Sequence, residues 1–428
     1  MERLILLVIV FLLLCSTGNA AEVAVVQQAA RTTTGTQDFT SSGFGTPKGA
    51  MCMVGAGSIN GTAVSHALFS IGFTDGTRQN ALSLRSKSGV TTTLTGRRAD
   101  TTDFLILVNQ DQNVVMRVQF SSWITDGMRL NYSVAPTTAY QVSCTLYGGA
   151  GISNAYVNTV TTPATVDTGT IVSTVGFQPD VIIAAINGDG TYNDTNQAQA
   201  DASVGFMLCG SSNPHTQKSV SWFDVNGLTT TSIVGMNLSS RVGRSSNSTQ
   251  RVEIQDCTSS GFTAMTRTAS ASATMGYLAL KLNGISASIV AVDSPTATGA
   301  QTITGITGIP QWGMLISSAV QSVDTVITDG DAEVFGVSSF TSSAQSCLAI
   351  TSADAVTTTV SESLTDSKPV CLRKGGAAFY SASFTSFGSG TATFNYATAN
   401  GTIRKWNGLF LQDSTTATLR RRGAVILP

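Results

Sequence analysis

Charge is scarce in this chain of 428 residues: Asp, Glu, Lys and Arg together make up 11%, against 42% apolar residues. Helical bundles and coiled coils need far more Ala, Glu, Lys, Leu and Arg than this. The formal net charge is -1, and the only basic cluster is Arg420, Arg421 and Arg422 near the C-terminus. Without a basic patch there is no electrostatic footprint for phosphates, so nucleic acid is not an expected partner. Histidine occurs twice, at His66 and His215. Two histidines cannot build a multi-histidine metal centre, and they stand at unrelated positions where a satisfied strand-edge histidine is the plainer reading. No G-x-S-x-G elbow is present to carry a serine nucleophile. Proline is limited to nine positions, and no window reads as a long capped amphipathic helix.

In place of charge the chain has Ser and Thr at about a quarter of its positions and Gly at 41. Short apolar or alternating runs such as Asp103 to Val108, Val114 to Phe120, Asp180 to Ile186, Ser203 to Leu208, Gly276 to Leu282 and Phe379 to Phe384 are separated by Gly, Ser, Thr, Asn and Asp clusters. These are strands and turns, so the expected fold class is all-β. The run from Val181 to Ile186 is apolar without alternation, as in a strand covered on both faces, whereas the alternation in Val114 to Phe120 predicts one wet face.

Met1 to Ala20 has a charged start at Glu2 and Arg3, an apolar stretch from Leu4 to Leu14, and Gly18 and Ala20 placed for a cut before Ala21. This is a secretory signal pattern, and residues 1–21 are set apart from the fold on that ground. An uncleaved interfacial anchor is the alternative; leucines just before Cys15 argue against lipidation there. No later segment is long and apolar enough to span a bilayer, so no transmembrane segment is expected in the mature chain. Export leads to an extracellular, cell-surface or virion-surface location. Six cysteines remain beyond Cys15: Cys52, Cys144, Cys209, Cys257, Cys347 and Cys371. An even count in an exported chain suits a disulfide framework, but six cysteines allow 15 pairings, and six buried thiols remain an open alternative.

The most informative feature is a weak threefold repetition. TGTQDFTSSGFGTPKGAMCMV begins at Thr34, TGTIVSTVGFQPDVIIAAI at Thr168 and TGAQTITGITGIPQWGMLI at Thr298, so that Gly43, Gly176 and Gly308 mark a period of about 132 residues. A second landmark, Gly72, Gly205 and Gly336, keeps nearly the same offset, and a third closes each copy at Gly149, Gly284 and Gly408. The period is too long for a solenoid repeat or propeller blade of roughly 20 to 50 residues, so each copy is expected to be a domain. The expected architecture is three tandem β-sandwich, jelly-roll-like domains at 22–150, 151–286 and 287–413, with a basic tail at 414–428. Two cysteines fall in each copy, which makes one bridge per copy the simplest pairing.

Candidate sites are few. The loops NGDGTYND and DGDAE gather hard oxygens before the second landmark of copies two and three, making Asp189, Asp194, Asp329 and Asp331 candidate calcium ligands; calcium is the only cofactor in view. Trp123, Trp222, Trp312 and Trp406 offer flat faces on which sugar rings could stack, against a core role for each. Turn carboxylates such as Asp126 could serve a glycosidase, though local hydrogen bonding explains acids in turns. Six N-x-S/T sequons, at Asn60, Asn131, Asn193, Asn237, Asn247 and Asn400, are about what this composition gives by chance.

The phrase TGTIVSTVGFQPDVII resembles a repeat of phage tail, fibre and other virion-associated structural proteins. Copy one departs from it by inserting Gly45 and Thr46 before Pro47, and copy three has Ile309 in place of Phe before Pro310. The resemblance implies a β-rich structural or host-recognition part and carries over no catalytic residue. An export signal is unusual for such proteins and leaves a bacterial surface protein open. The expected function is therefore a non-enzymatic structural or adhesive surface protein whose partners are copies of itself or other virion or envelope proteins. A secreted carbohydrate-binding array is the alternative, and a glycoside-active enzyme stands behind it.

Overall fold

The computed structural model describes residues 22–413, apart from 58–60, 189–190, 211–214, 246–249, 269–271, 328–332 and 375–376. The segment read as a secretory signal and the C-terminal stretch with its three arginines lie outside those residues. Among the described residues there is no helix, and the strands form six antiparallel sheets, three large and three small.

The first large sheet has the order Val23–Ala29, Gln141–Tyr147, Gly49–Gly55, Ala67–Thr74, Gln79–Ser86, Thr95–Asp100. The second runs in the corresponding order from Ile152–Thr161 to Ile233–Leu238, and the third from Ile285–Asp293 to Ser361–Asp366. Over each large sheet packs a four-stranded one; the first is Gly35–Thr40, Gly127–Val134, Val114–Ile124, Leu105–Val108. A jelly roll would send successive strands to opposite sheets. Here four strands from Gly49 to Asp100 follow one another as a meander in one sheet, and so do the three from Leu105 to Val134 in the other, so that detail of the expectation does not hold.

Period-two alternation explains how the layers are joined. In Val181–Ile186, the residues Ile182, Ala184 and Ile186 face the second small sheet, in a cluster with Phe262 and Tyr277. Val181, Ile183 and Ala185 point the other way, into a core shared by all three large sheets. Gly49–Gly55 divides in the same manner, with Ala50, Cys52 and Val54 in the outer cluster and Met51 and Met53 in the shared one. The shared core brings together Phe69 and Phe73 from the first sheet, Phe206 and Trp222 from the second, and Trp312 and Phe335 from the third. Phe69 and Phe335 meet edge to face with centroids 5.4 Å apart. The large sheets are therefore wrapped on both faces, which is why their central strands are buried from end to end.

The first glycine landmark and two members of the second have a structural cause. Gly43, Gly176 and Gly308 take φ of 77°, 79° and 79°, the left-handed region in which a side chain is disfavoured. Gly72 and Gly205 sit where a second backbone crosses the large sheet: a Cβ there would stand 1.7 Å from the carbonyl oxygen of Phe104 and 2.0 Å from that of Val242. Among the described residues there are three disulfides, two of which tie layers together. Cys52–Cys144 joins neighbouring strands of the first large sheet, while Cys209–Cys257 and Cys347–Cys371 connect the second and third large sheets to their small partners.

Candidate functional site

In each large sheet, the third and fourth strands are joined by a long segment that leaves its own sheet and lies along the sixth strand of another. Residues Gln197–Ala198 pair with Arg97 and Gly96, adding a seventh strand to the first sheet. Residues Val64–Ser65 pair with Ser363 and Glu362, adding a seventh strand to the third. Ile327 and Val323 bridge to Gly235 and Asn237 of the second. The second sheet's arm thus clasps the first, the first sheet's clasps the third, and the third sheet's clasps the second. The contacts close a circle.

Asp194, from the first of the acid-rich loops read as calcium sites, belongs to the second sheet's arm. Asp194 has its N–H bonded to the Ala99 carbonyl at 2.9 Å, and its carboxylate is gripped by Arg98 at 2.7 Å and Arg117 at 2.6 Å. Partial burial acts to raise its pKa, but the two guanidinium groups outweigh this and hold it below the ordinary carboxylate value. A carboxylate already shared by two arginines is not a ligand waiting for a cation, so the calcium expectation for Asp194 is withdrawn. Asp189, Asp329 and Asp331 lie outside the described residues. Among the described residues, no group of three or more His, Cys, Asp or Glu side chains is placed to hold a metal.

Arg117 also reaches Asp100 at 3.3 Å and makes a shorter contact with Asp103, so one guanidinium serves three carboxylates across the join between the first sheet pair and the second sheet's arm. Asp103 is fully buried; desolvation, then the adjacent Asp100, push its pKa up to about 6 against the pull of Arg117. Arg117→Ala would leave that carboxylate buried without a counter-charge, with the Gln119 amide at 3.3 Å as its remaining donor, and is expected to cost about 3 kcal/mol of unfolding free energy. Adding Asp103→Asn should recover most of the loss in a denaturant titration. A double variant no more stable than the single one would show that the cost arises elsewhere.

The tryptophans divide three to one. Trp222 and Trp312 have no exposed surface and Trp406 has 2%. Trp222 and Trp312 belong to the shared core, and Trp312 donates from Nε1 to the Ser339 hydroxyl at 2.8 Å. Trp406 packs edge to face on Tyr380 at 5.3 Å in the third outer cluster. A face covered by protein cannot stack on a sugar, so these three are core residues. Trp123 alone keeps part of its surface, lying against Phe120 at 4.5 Å and over the Gly76 turn.

His66 and Asp126 each hold a stretch of backbone. His66 adopts a left-handed φ of 76° at the end of the first arm, and its Nδ1 accepts the backbone N–H of Ser88 at 3.0 Å. His215 is almost buried. Burial lowers the pKa of both. Asp126, one of the turn carboxylates, accepts the N–H groups of Gly43 and Gly45 at 3.0 and 2.8 Å and so holds the first landmark loop.

Sequence reasoning missed one position entirely. Ser86, Asp224 and Ser352 are the last residues of corresponding strands in the three large sheets, and they converge. Asp224 is completely buried and neither carboxylate oxygen has a close hydrogen-bond partner; burial pushes its pKa up to about 7, offset only in part by the nearby Ser86 and Ser352 hydroxyls. Ser361 links those two serines, with its hydroxyl 3.0 Å from each. An aspartate at the end of WFD carries no sequence signal that would mark it as central.

No protein-family model matches the chain, and no curated protein matches it. No helix among the described residues is long and apolar enough to cross a membrane.

Proposed function

We propose that the chain is one β-sandwich unit written three times, with boundaries near 150 and 286, and that it serves as a non-enzymatic structural or adhesive component of a virion or cell surface. The observation that carries this reading is the closed circle of arms: each unit completes another's sheet, as subunits do in a cyclic homotrimer, but within one polypeptide. Such closure protects sheet edges that would otherwise pair at random. One disulfide per unit suits an oxidising, exported setting. Asp126 and Asp194 are committed to backbone N–H groups and to arginines, which favours a scaffold over a hydrolase. Presented loops would supply the contacts to partner proteins or host surfaces.

Immunogold labelling of source particles and envelopes with antibody to the whole chain provides the test. The expected result is regular labelling of an outer surface that survives a salt wash; protein found only in the cytoplasm or free in the medium would overturn the reading.

A further inference from the structure

Two of the seams where one unit's opening strand meets another unit are filled differently. At the seam between the first and second units, the turn Asp75-Gly76-Thr77-Arg78 closes the gap. Asp75 accepts the Val157 N–H at 2.9 Å, Asn80 donates to the Asn158 carbonyl at 3.1 Å, and the Arg78 guanidinium covers the Tyr156 ring at 4.0 Å. At the seam between the third and first units the corresponding turn is Ser342-Ser343-Ala344, one residue shorter and without a long or charged side chain. The correspondence is secured by matching bonds: Gln79 Oε1 accepts the Phe120 N–H at 2.8 Å, and Gln345 Oε1 accepts the Phe384 N–H at 3.4 Å. The shorter turn leaves a cleft of about 590 Å³ between Val23–Val25 and the third unit.

This cleft has a definite chemistry. None of its lining residues carries a charge at neutral pH. Ser342, Ser343, Thr385 and Ser386, which carry hydroxyls, and Gln311, which carries an amide, line it together with Phe384 and Phe387. The two rings lie 4.5 Å apart and Phe387 stacks on Phe340 at 5.9 Å, so the aromatic floor is fixed by the outer core beneath it. Neutral hydroxyl and amide groups beside a rigid aromatic face match a sugar, whose C–H face packs on a ring while its hydroxyls exchange hydrogen bonds. The volume falls within the range of small-molecule sites. An added peptide strand fits less well, because Val23, Ala24 and Val25 are already 94–96% covered and offer little open edge.

We propose that the cleft between the third and first units, walled by the Ser342–Ala344 turn and floored by Phe384 and Phe387, binds uncharged oligosaccharide. This deepens the adhesive part of the reading above by naming its ligand class and site.

Binding of the full-length chain to an array of neutral, sialylated and sulfated glycans tests it. Neutral glycans are expected to bind, with Ser343→Trp and Ser386→Trp each weakening the signal at least tenfold and Gln311→Ala several-fold, while the thermal midpoint stays that of the parent. All three positions are exposed, so the substitutions fill or strip the cleft and leave the core alone. No neutral glycan bound, binding confined to charged glycans, or binding indifferent to both tryptophans would overturn the proposal. So would a strand-forming peptide that binds and is blocked by Ser343→Trp when no glycan binds. Immunogold labelling reads the surface location separately, so the glycan site can fail while the structural reading stands.

Discussion

Asp224→Asn is expected to stabilise the protein by about 4 kcal/mol at pH 8 and to leave it nearly unchanged at pH 4. The folded protein raises the Asp224 pKa from 3.8 to about 7, and each tenfold change in proton affinity is worth about 1.36 kcal/mol. A carboxyl whose folded pKa lies above its unfolded one binds its proton more tightly when folded. Its contribution is complete below about pH 4 and is lost as the pH rises through about 7. Asparagine keeps the shape, carries no charge at any pH and can donate to Ser86 or Ser352. The stability difference between variant and parent should therefore widen from pH 4 to pH 7 and then stay level. Asp103 slopes the same way, and the two histidines, with their lowered pKa values, slope the opposite way; these groups are present in both proteins and cancel in the difference. The charged neighbour that acts on Asp224 is Asp354, which raises its pKa further and is itself occupied by the Ile233 N–H at 2.9 Å. Chemical denaturation of both proteins across this range provides the measurement, and a difference that does not change with pH would show that the carboxylate is not isolated at the junction.

That junction also shows where reading a sequence stops. The all-β class follows from short apolar runs between turn residues, and the uninterrupted run of Val181 to Ile186 correctly signals a strand buried on both faces. What covers the second face is invisible, because a run of six apolar residues reads alike under a helix, a second sheet or two further sheets. The tryptophans fail for a related reason: Trp222 and Trp123 both sit in strands of the right period, and only the fold decides which is enclosed. Asp194 and Arg98 are 96 residues apart, and no local pattern links an acidic loop to an arginine at that distance. The loop's position before the second landmark was legible in copies two and three. Its use as a clasp was not.

The size of the thermal shift in Trp312→Ala should reveal whether the shared core makes the three large sheets and their small partners one cooperative body. Removing a buried tryptophan costs about 3–5 kcal/mol through lost contacts and the cavity left behind. At this position it also breaks a relay across two large sheets, since Ser339 accepts from Trp312 Nε1 and shares a hydrogen bond of 2.6 Å with Thr145, whose near neighbour Tyr147 meets the indole edge to face at 5.6 Å. Unfolding entropy is about 2.1 cal/mol/K per residue, so a body of about 390 residues carries about 0.8 kcal/mol/K and a single unit of about 130 residues about 0.27. The same loss of about 4 kcal/mol then lowers the midpoint by about 5 °C if the units melt together, and by about 15 °C for one third of the signal if they melt apart. Scanning calorimetry is expected to give one endotherm displaced by the smaller amount, because the faces that Trp312, Phe335, Phe69 and Trp222 cover belong to all three large sheets and none can open without exposing the other two. An early, separate endotherm in the variant would mean that the central contacts are weak and that the arms alone hold the circle closed.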